Sequence, residues 1–276
     1  MPGAKLGLIA GAGGLPVEIA DDCARSGRPY LVIRLRGIAD AALNHHPGQE
    51  VGLVEFGRCI KTLRDGNCER VCFAGVVRRP DFAALRPDFA ALKHLPKVVA
   101  AAKGGDDGLL RAVLSVFEAE GFRVEGVGEA AAGLLLAEGP LGRVVPTGAQ
   151  RSDVVLALAA ARDIGGQDLG QAAVARAGRI IAVEDEEGTD AMLRRCHPDD
   201  SGAAGVLVKV PKPGQDRRVD LPTIGVATLE GAALAGLAGV AGEAGALLVV
   251  DRDAVRAAAD RLGLFVYGTT AVAPGA

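Results

Sequence analysis

The strongest constraint on this chain is the alternation of short apolar runs with helix-length amphipathic segments, and it begins at once. Leu6 to Ala10 reads as a buried strand, Gly11-Ala-Gly-Gly14 as a turn, Pro16 to Ser26 as a helix opened by Pro and closed by Gly27, and Tyr30 to Leu35 as the next strand. A helix near Phe56 to Arg64, a strand Arg70 to Ala74, a helix Gly108 to Glu120 and a strand Phe122 to Val127 continue the pattern. Strands that alternate with helices make a mainly parallel sheet covered on both faces. Between these elements, Asp81-Phe-Ala-Ala-Leu-Arg-Pro and Asp88-Phe-Ala-Ala-Leu-Lys-His nearly repeat. Two copies are too few for a solenoid and read as a pair of packing helices. Lys103-Gly-Gly-Asp-Asp puts carboxylates at a helix N-terminus, where capping and the helix dipole favour them.

With 276 residues the chain exceeds one typical domain of about 150. The Gly- and Pro-rich stretch Ala137 to Gly148 marks a boundary. The expected architecture is α/β throughout: a Rossmann-like domain with a mainly parallel sheet over 1–134, a Gly/Pro linker over 135–150, and a second α/β domain over 151–276. In the second domain, Ser152 is placed to cap a helix to about Arg162 that Gly165-Gly166 ends, and Gln171 to Val174 and Ile180 to Val183 read as strands joined by a turn at Arg176 to Gly178. Thr189 is placed to cap a short helix through Arg195, and Val206 to Val210 reads as a strand. Ala227 to Ala244 reads as a small-residue helix, followed by a strand Ala246 to Val250, a helix Asp253 to Leu262 and a strand Leu264 to Tyr267.

Composition narrows the function classes. A formal charge of -3 argues against a duplex nucleic-acid binder, whose affinity comes mostly from phosphate neutralisation. The five cysteines are odd in number and form no C-x-x-C, so they read as reduced cytosolic thiols filling the core. The N-terminal apolar run meets a glycine turn at once and reads as a strand rather than a signal peptide. The small-residue run Gly231 to Gly242 is far short of the roughly 20 residues of a membrane span.

Two segments carry candidate chemistry. In Val183 to Leu193, the carboxylates Glu184, Asp185, Glu186, Glu187 and Asp190 crowd one stretch between the flanks Ile181-Ala-Val183 and Ala191-Met-Leu193, which read as buried, an arrangement suited to a hard divalent cation such as Mg²⁺, which needs no histidine. His45, His46, His94 and His197 show no zinc-ligand spacing. In the second segment, Lys209, Lys212, Arg217 and Arg218 alternate with Asp216 and Asp220 between Pro211, Pro213 and Pro222. Cations beside carboxylates suit phosphoryl chemistry, with water as the attacking group, since no Gly-x-Ser-x-Gly or signature cysteine competes. A solvated acidic loop and surface ion pairing are the alternatives. The turn Gly11, Gly13, Gly14 and Leu15 lacks the third glycine of the dinucleotide fingerprint, since Pro16 stands there, and leaves two readings: an anion contact at a helix N-terminus, or a plain tight turn.

Gly7-Leu-Ile-Ala-Gly-Ala-Gly-Gly-Leu-Pro16, Gly105 to Arg111, Glu138-Gly-Pro140, Gly170-Gln171, Val183 to Leu193, Lys212 to Gly225 and Gly263-Leu-Phe-Val266 occur in order along nearly the whole chain. Together they resemble the LpxI-type UDP-2,3-diacylglucosamine pyrophosphatases. The resemblance implies a Mg²⁺-dependent cytoplasmic hydrolase of lipid A biosynthesis that splits its nucleotide-activated glycolipid into UMP and the phosphoglycolipid 2,3-diacylglucosamine 1-phosphate (lipid X), with the lipid held between two α/β domains. It also leaves room for a homodimer and for peripheral contact with the inner membrane. By place in the motif, Asp220 becomes the leading catalytic carboxylate and Asp216 the second, with Glu184, Glu187, Thr189 and Asp190 as site residues and Lys209, Lys212, Gln215 and Thr223 on the substrate. Asp220, Asp216, Glu184 and Glu187 are then the expected metal ligands, and Gly11, Gly13, Gly14 and Leu15 the expected contacts in the first half. One departure is Val226, where the family pattern suggests a proline after Gly225. A dinucleotide-dependent oxidoreductase and a non-catalytic nucleotide-binding regulator are the competing classes.

Overall fold

The computed structural model describes residues 4–77, 98, 100–101, 106–197 and 204–270. The chain divides into two compact units, Met1–Ala132 and Gly133–Ala276. The near-repeat at 81–94 and the 103–105 part of the acidic cap lie outside the described residues.

The first unit is built on five parallel strands, β1 (Leu6–Ala10), β2 (Tyr30–Leu35), β3 (Gly48–Val51), β4 (Arg70–Ala74) and β5 (Arg123–Glu125), in the order β3-β2-β1-β4-β5. The chain moves outward from β1 through β2 to β3 and then returns to the other side of β1, so the order reverses between β1 and β4. In open α/β sheets ligands bind at such a reversal, beyond the carboxyl ends of the strands. Helices Gly14–Ser26, Phe56–Asp65 and Asp106–Ala119 supply apolar faces to this sheet. Few aromatics are available, yet four of the seven Phe meet, with Phe117 against Phe56, Phe73 and Phe122 at centroid separations of 5.1 to 6.3 Å. Strand β3 escapes the sequence reading because three of its four residues are exposed. All five cysteines are buried and unbridged, and burial pushes the Cys72 thiol up to about 12, which leaves it unreactive.

Glu125, 1 % exposed at the end of β5, accepts from Arg28 at 2.7 Å and from Arg70. Burial raises its pKa, but the hydrogen bonds and charges of the two guanidinium groups outweigh that and hold the carboxyl below its ordinary value.

The second unit centres on a six-stranded mixed sheet in the order β6-β13-β11-β9-β7-β8, comprising β6 (Gly139–Pro140), β7 (Ala172–Arg176), β8 (Arg179–Val183), β9 (Gly205–Lys209), β11 (Leu237–Glu243) and β13 (Phe265–Thr269). Strands β9, β11 and β13 run parallel, while β6, β7 and β8 each run antiparallel to a neighbour. A two-stranded parallel pair, β10 (Thr223–Ile224) with β12 (Leu248–Val249), lies beside them in sequence. Within the Gly/Pro-rich stretch, residues 139–140 are the edge strand β6, because Pro140 has no amide hydrogen to leave unpaired at an edge. One core layer contains Met192, Leu207, Val240, Val249 and Val266, and the other Val154, Leu158, Val206, Val208 and Phe265.

Three expectations are corrected here. The helix after the boundary starts at Gly148 and runs through Gly166, because Thr147 and Gln150 form a reciprocal capping box; Ser152 lies inside it and donates to Gly148 O. The run Ala227 to Ala244 is not one helix. It is a helix Val226–Leu234 followed by β11, and the break falls at Gly236, whose φ of +68° suits glycine. The flank Ile181 to Val183 is not buried, since β8 is the sheet edge and Ile181 and Val183 are 42 and 39 % exposed.

Removing the Glu125 charge leaves two arginines without their counter-charge. Glu125→Gln should destabilise the protein by about 2 kcal/mol at neutral pH in urea melts, below the range for a fully buried pair because Arg70 is partly open to water. The folded pKa lies below the ordinary glutamate value, so the wild-type advantage is complete above the unfolded pKa and should shrink as pH falls through the depressed folded pKa.

Candidate active site

The carboxyl ends of β8 and β9 bring the candidate residues of the second unit together. Lys209 is the last residue of β9, in register with Ala172 on one side and Gly242 on the other, so its stem is enclosed by neighbouring strands. It is 7 % exposed, and its Nζ donates to Thr223 O at 3.1 Å. Burial lowers its pKa, and the charges of Glu184 and Asp190 oppose that.

Glu184 follows β8 and is itself 6 % exposed. Its carboxylate accepts the Gln171 N–H and the Thr189 hydroxyl, each at 2.6 Å. Thr189 therefore serves Glu184 rather than capping the helix Gly188–Arg195, whose N-cap is Glu187. This approach depends on Gly170: a methyl group there would lie 2.5 Å from the Glu184 carbonyl oxygen and 2.8 Å from its Cβ. Gln171 also accepts the Val210 N–H at 2.9 Å, so one residue ties the acidic loop to the lysine-rich loop. Its own Oε1 is buried and lacks a hydrogen-bond partner.

The loop from Val210 to Pro222 is folded on itself. Gln215 accepts the Lys212 N–H at 3.0 Å and donates to Asp220 Oδ2 at 2.7 Å, which fixes that carboxylate from one side. The Asp216 carbonyl accepts from Val219 and Asp220 N–H groups at 3.0 and 3.1 Å, closing a single turn with a carboxylate at each end. Asp216 is held by Arg218, through Nε at 2.9 Å and Nη2 at 2.6 Å. Lys212 Nζ meets Asp168 Oδ1 at 2.8 Å, and Glu243 at the end of β11 meets Arg162 and Arg217 at 3.2 and 3.4 Å.

Two groupings result. Lys209 bonds Thr223 and Thr189 bonds Glu184, with Glu184 and Asp190 acting on Lys209 by charge, while Lys212, Gln215, Asp216 and Asp220 share one loop. Glu187 joins neither, because it and Asp185 pair with Arg195 at 2.6 and 2.7 Å on the surface. Among the described residues, the 184–190 and 216–220 carboxylates form no cluster of three metal-spaced ligands. The donors that suit a hard cation by chemistry are Asp220 and Asp216, since Mg²⁺ typically takes one or two carboxylates and completes its shell with water and phosphate oxygens. Glu184 is already engaged by two donors. Gln171 is the site residue whose role sequence reasoning did not assign; the Gly-Gln dipeptide before a strand was its only signal.

In the first unit, the Gly11 N–H donates to Ala74 O at 2.8 Å, and Ala12 and Val76 exchange two bonds of 2.9 Å. The turn is thereby stitched between β1 and β4, at the order reversal. Gly13 takes a φ of +93° as the N-cap of the helix Gly14–Ser26. Gly13 and Gly14 are exposed and Leu15 is half-buried, in the first turn, where amide groups have no intrahelical acceptor. This geometry is compatible with both readings of the turn, the anion contact and the plain tight turn.

Val226 occupies the first position of its helix, where proline is favoured but not required; the Gly225 N–H donates to Thr228 Oγ1 at 3.3 Å, so the turn survives the departure.

The LpxI N-terminal domain model matches residues 5–134 and the LpxI C-terminal domain model residues 137–267. The chain is 56 % identical over 271 residues to the UDP-2,3-diacylglucosamine pyrophosphatase LpxI of Caulobacter vibrioides, covering 96 % of this chain and 97 % of that protein.

If Gly170 exists to admit Glu184, Gly170→Ala should cost about 1–3 kcal/mol of stability through overpacking. Thr189→Val should cost about 1.5–3 kcal/mol through one lost hydrogen bond to a buried carboxylate. Urea unfolding curves check both, and an unchanged Gly170→Ala midpoint would contradict the close approach.

Proposed function

The chain belongs to the LpxI family, and from that premise we propose that it hydrolyses the diphosphate of UDP-2,3-diacylglucosamine to UMP and 2,3-diacylglucosamine 1-phosphate, using a hard divalent cation such as Mg²⁺. The observation that carries this reading is the 56 % identity, over nearly the full length of both chains, to a pyrophosphatase of that name. The loop geometry supports it, because Asp220 stands fixed by Gln215 one turn away from a second carboxylate.

In this reading a water molecule attacks one phosphorus and the bridging P–O bond breaks, the attacking water losing its proton to a carboxylate. Asp220 is that carboxylate or a holder of the cation, and Asp216, neutralised by Arg218, is its neighbour in the same turn. Asp220 and Asp216 would hold the cation. When bound, it supplies Lewis-acid polarisation of a phosphoryl oxygen and acidifies water. Lys212 exchanges its exposed partner Asp168 for a phosphate. Lys209 acts from within, holding Thr223 and balancing Glu184 and Asp190, so its burial gives it a positioning task more than a phosphate contact. Gln215 keeps Asp220 aimed, and Gly13, Gly14 and Leu15 offer amide groups to an anionic part of the nucleotide.

Among the described residues no helix is long and apolar enough to cross a membrane. Acyl chains on the substrate make peripheral contact with the inner face of the inner membrane part of this proposal, with the rest of the protein in the cytoplasm. The exposed apolar residues on the edge strand β8 favour a homodimer. The oxidoreductase and regulator readings have no comparable support.

The purified chain should release UMP from UDP-2,3-diacylglucosamine in the presence of Mg²⁺, stop on addition of EDTA and resume when Mg²⁺ is restored. Asp220→Ala should lower kcat by about 10²–10³-fold or more with the fold intact by circular dichroism. Full activity in that variant would transfer the role to Asp216 or to the acidic loop, and turnover unaffected by EDTA would remove the cation from the mechanism.

A further inference from the structure

The first unit holds a second constellation that the hydrolytic reading does not use. Asp21 on the helix Gly14–Ser26 faces His45, the last residue of the 3₁₀ turn Ala41–His45, and His46 just beyond it. Their ligand atoms all lie within 4.8 Å of one another. His46 Nε2 is 3.3 Å from Asp21 Oδ1, and His45 Nε2 is 4.0 Å from the same oxygen. Two ligands each about 2.0–2.1 Å from a tetrahedral ion are about 3.3 Å apart, so the first pair already has ligand spacing and the second needs a small swing of an exposed imidazole. The His46 side chain is 3 % exposed, and its buried Nε2 faces Asp21 Oδ1 at 3.3 Å without a well-aligned hydrogen bond, so an ion drawn between the two atoms would satisfy both.

The surroundings complete the case. His46 Nδ1 lies 2.7 Å from the Tyr30 hydroxyl. With Nδ1–H donating to Tyr30, Nε2 carries its lone pair toward Asp21, which is how outer-shell partners orient metal-bound imidazoles. Arg34 donates to Leu43 O and His46 O, both at 3.2 Å, and so fixes the turn that presents the two rings. Burial lowers the His46 pKa, helped by His45 and Arg34 and opposed by the charge and hydrogen bonding of Asp21. The five cysteines are buried and do not compete for a soft ion. Two imidazoles and one carboxylate, with His45 66 % and Asp21 50 % exposed and open to water, suit a borderline transition metal and not Mg²⁺.

We propose that Asp21, His45 and His46 bind one divalent transition-metal ion of the zinc type at a site separate from the hydrolytic loop, with Tyr30 as the outer-shell support. The test is calorimetric titration of the full-length, chelator-stripped chain with Zn²⁺, with Co²⁺ as an absorbing probe of imidazole coordination. One ion per chain is expected, not displaced by excess Mg²⁺. His45→Ala and Asp21→Asn should weaken it about tenfold or more, and Tyr30→Phe by about 10–100-fold. Because the first two residues are exposed, their variants keep the fold, which circular dichroism confirms, and UMP release by these variants should match wild type. Absence of Zn²⁺ binding, binding that survives both variants unchanged, or displacement by Mg²⁺ would each overturn the proposal.

Discussion

A lysine buried at the end of a central strand sets the terms for the second unit. An ammonium taken from water needs a counter-charge close by, and Lys209 finds it in Glu184 and Asp190. Glu184, buried too, must then satisfy its own oxygens, and it does so with the Gln171 N–H and the Thr189 hydroxyl. Each requirement recruits another residue. Gly170 must lack a side chain to let Glu184 approach, and Gln171 receives Val210, so the loop bearing Asp216 and Asp220 leaves β9 from a fixed start.

Much of the first unit was legible because local signals agree with the tertiary outcome. Strands β1, β2 and β4 and the helix ended by Gly27 each join an apolar run to an unambiguous stop. The second unit was harder where a residue type serves two periodicities. Gly, Ala and Leu from 231 to 242 satisfy a helix and a strand alike, and a single left-handed Gly236 decides between them. Apolar Ile181 and Val183 read as interior, yet sheet order makes them an edge, which composition does not encode.

For the site, residues were easier to find than their partners. Asp220, Asp216, Lys212 and Gln215 follow one another in sequence and do share one loop. The crowding of Glu184 to Asp190 suggested a single cluster, whereas the fold turns Glu184 inward and gives Glu187 to Arg195. Adjacent histidines 45 and 46 show no ligand spacing by themselves, because their third partner is on a helix more than twenty residues earlier. Long-range pairing of this kind is a property of topology, not of pattern.

The pairing of Arg195 with both Asp185 and Glu187 has a kinetic consequence beyond the small stability of exposed ion pairs. A diphosphate approaching an acidic loop meets like charge, and a guanidinium between two outward carboxylates cancels part of that field at the surface. Screening at physiological salt confines what remains to about 8 Å. The loop can thus keep an inward carboxylate for its lysine while posing little long-range barrier to an anionic visitor, so that capture is governed by the final encounter rather than by steering from afar.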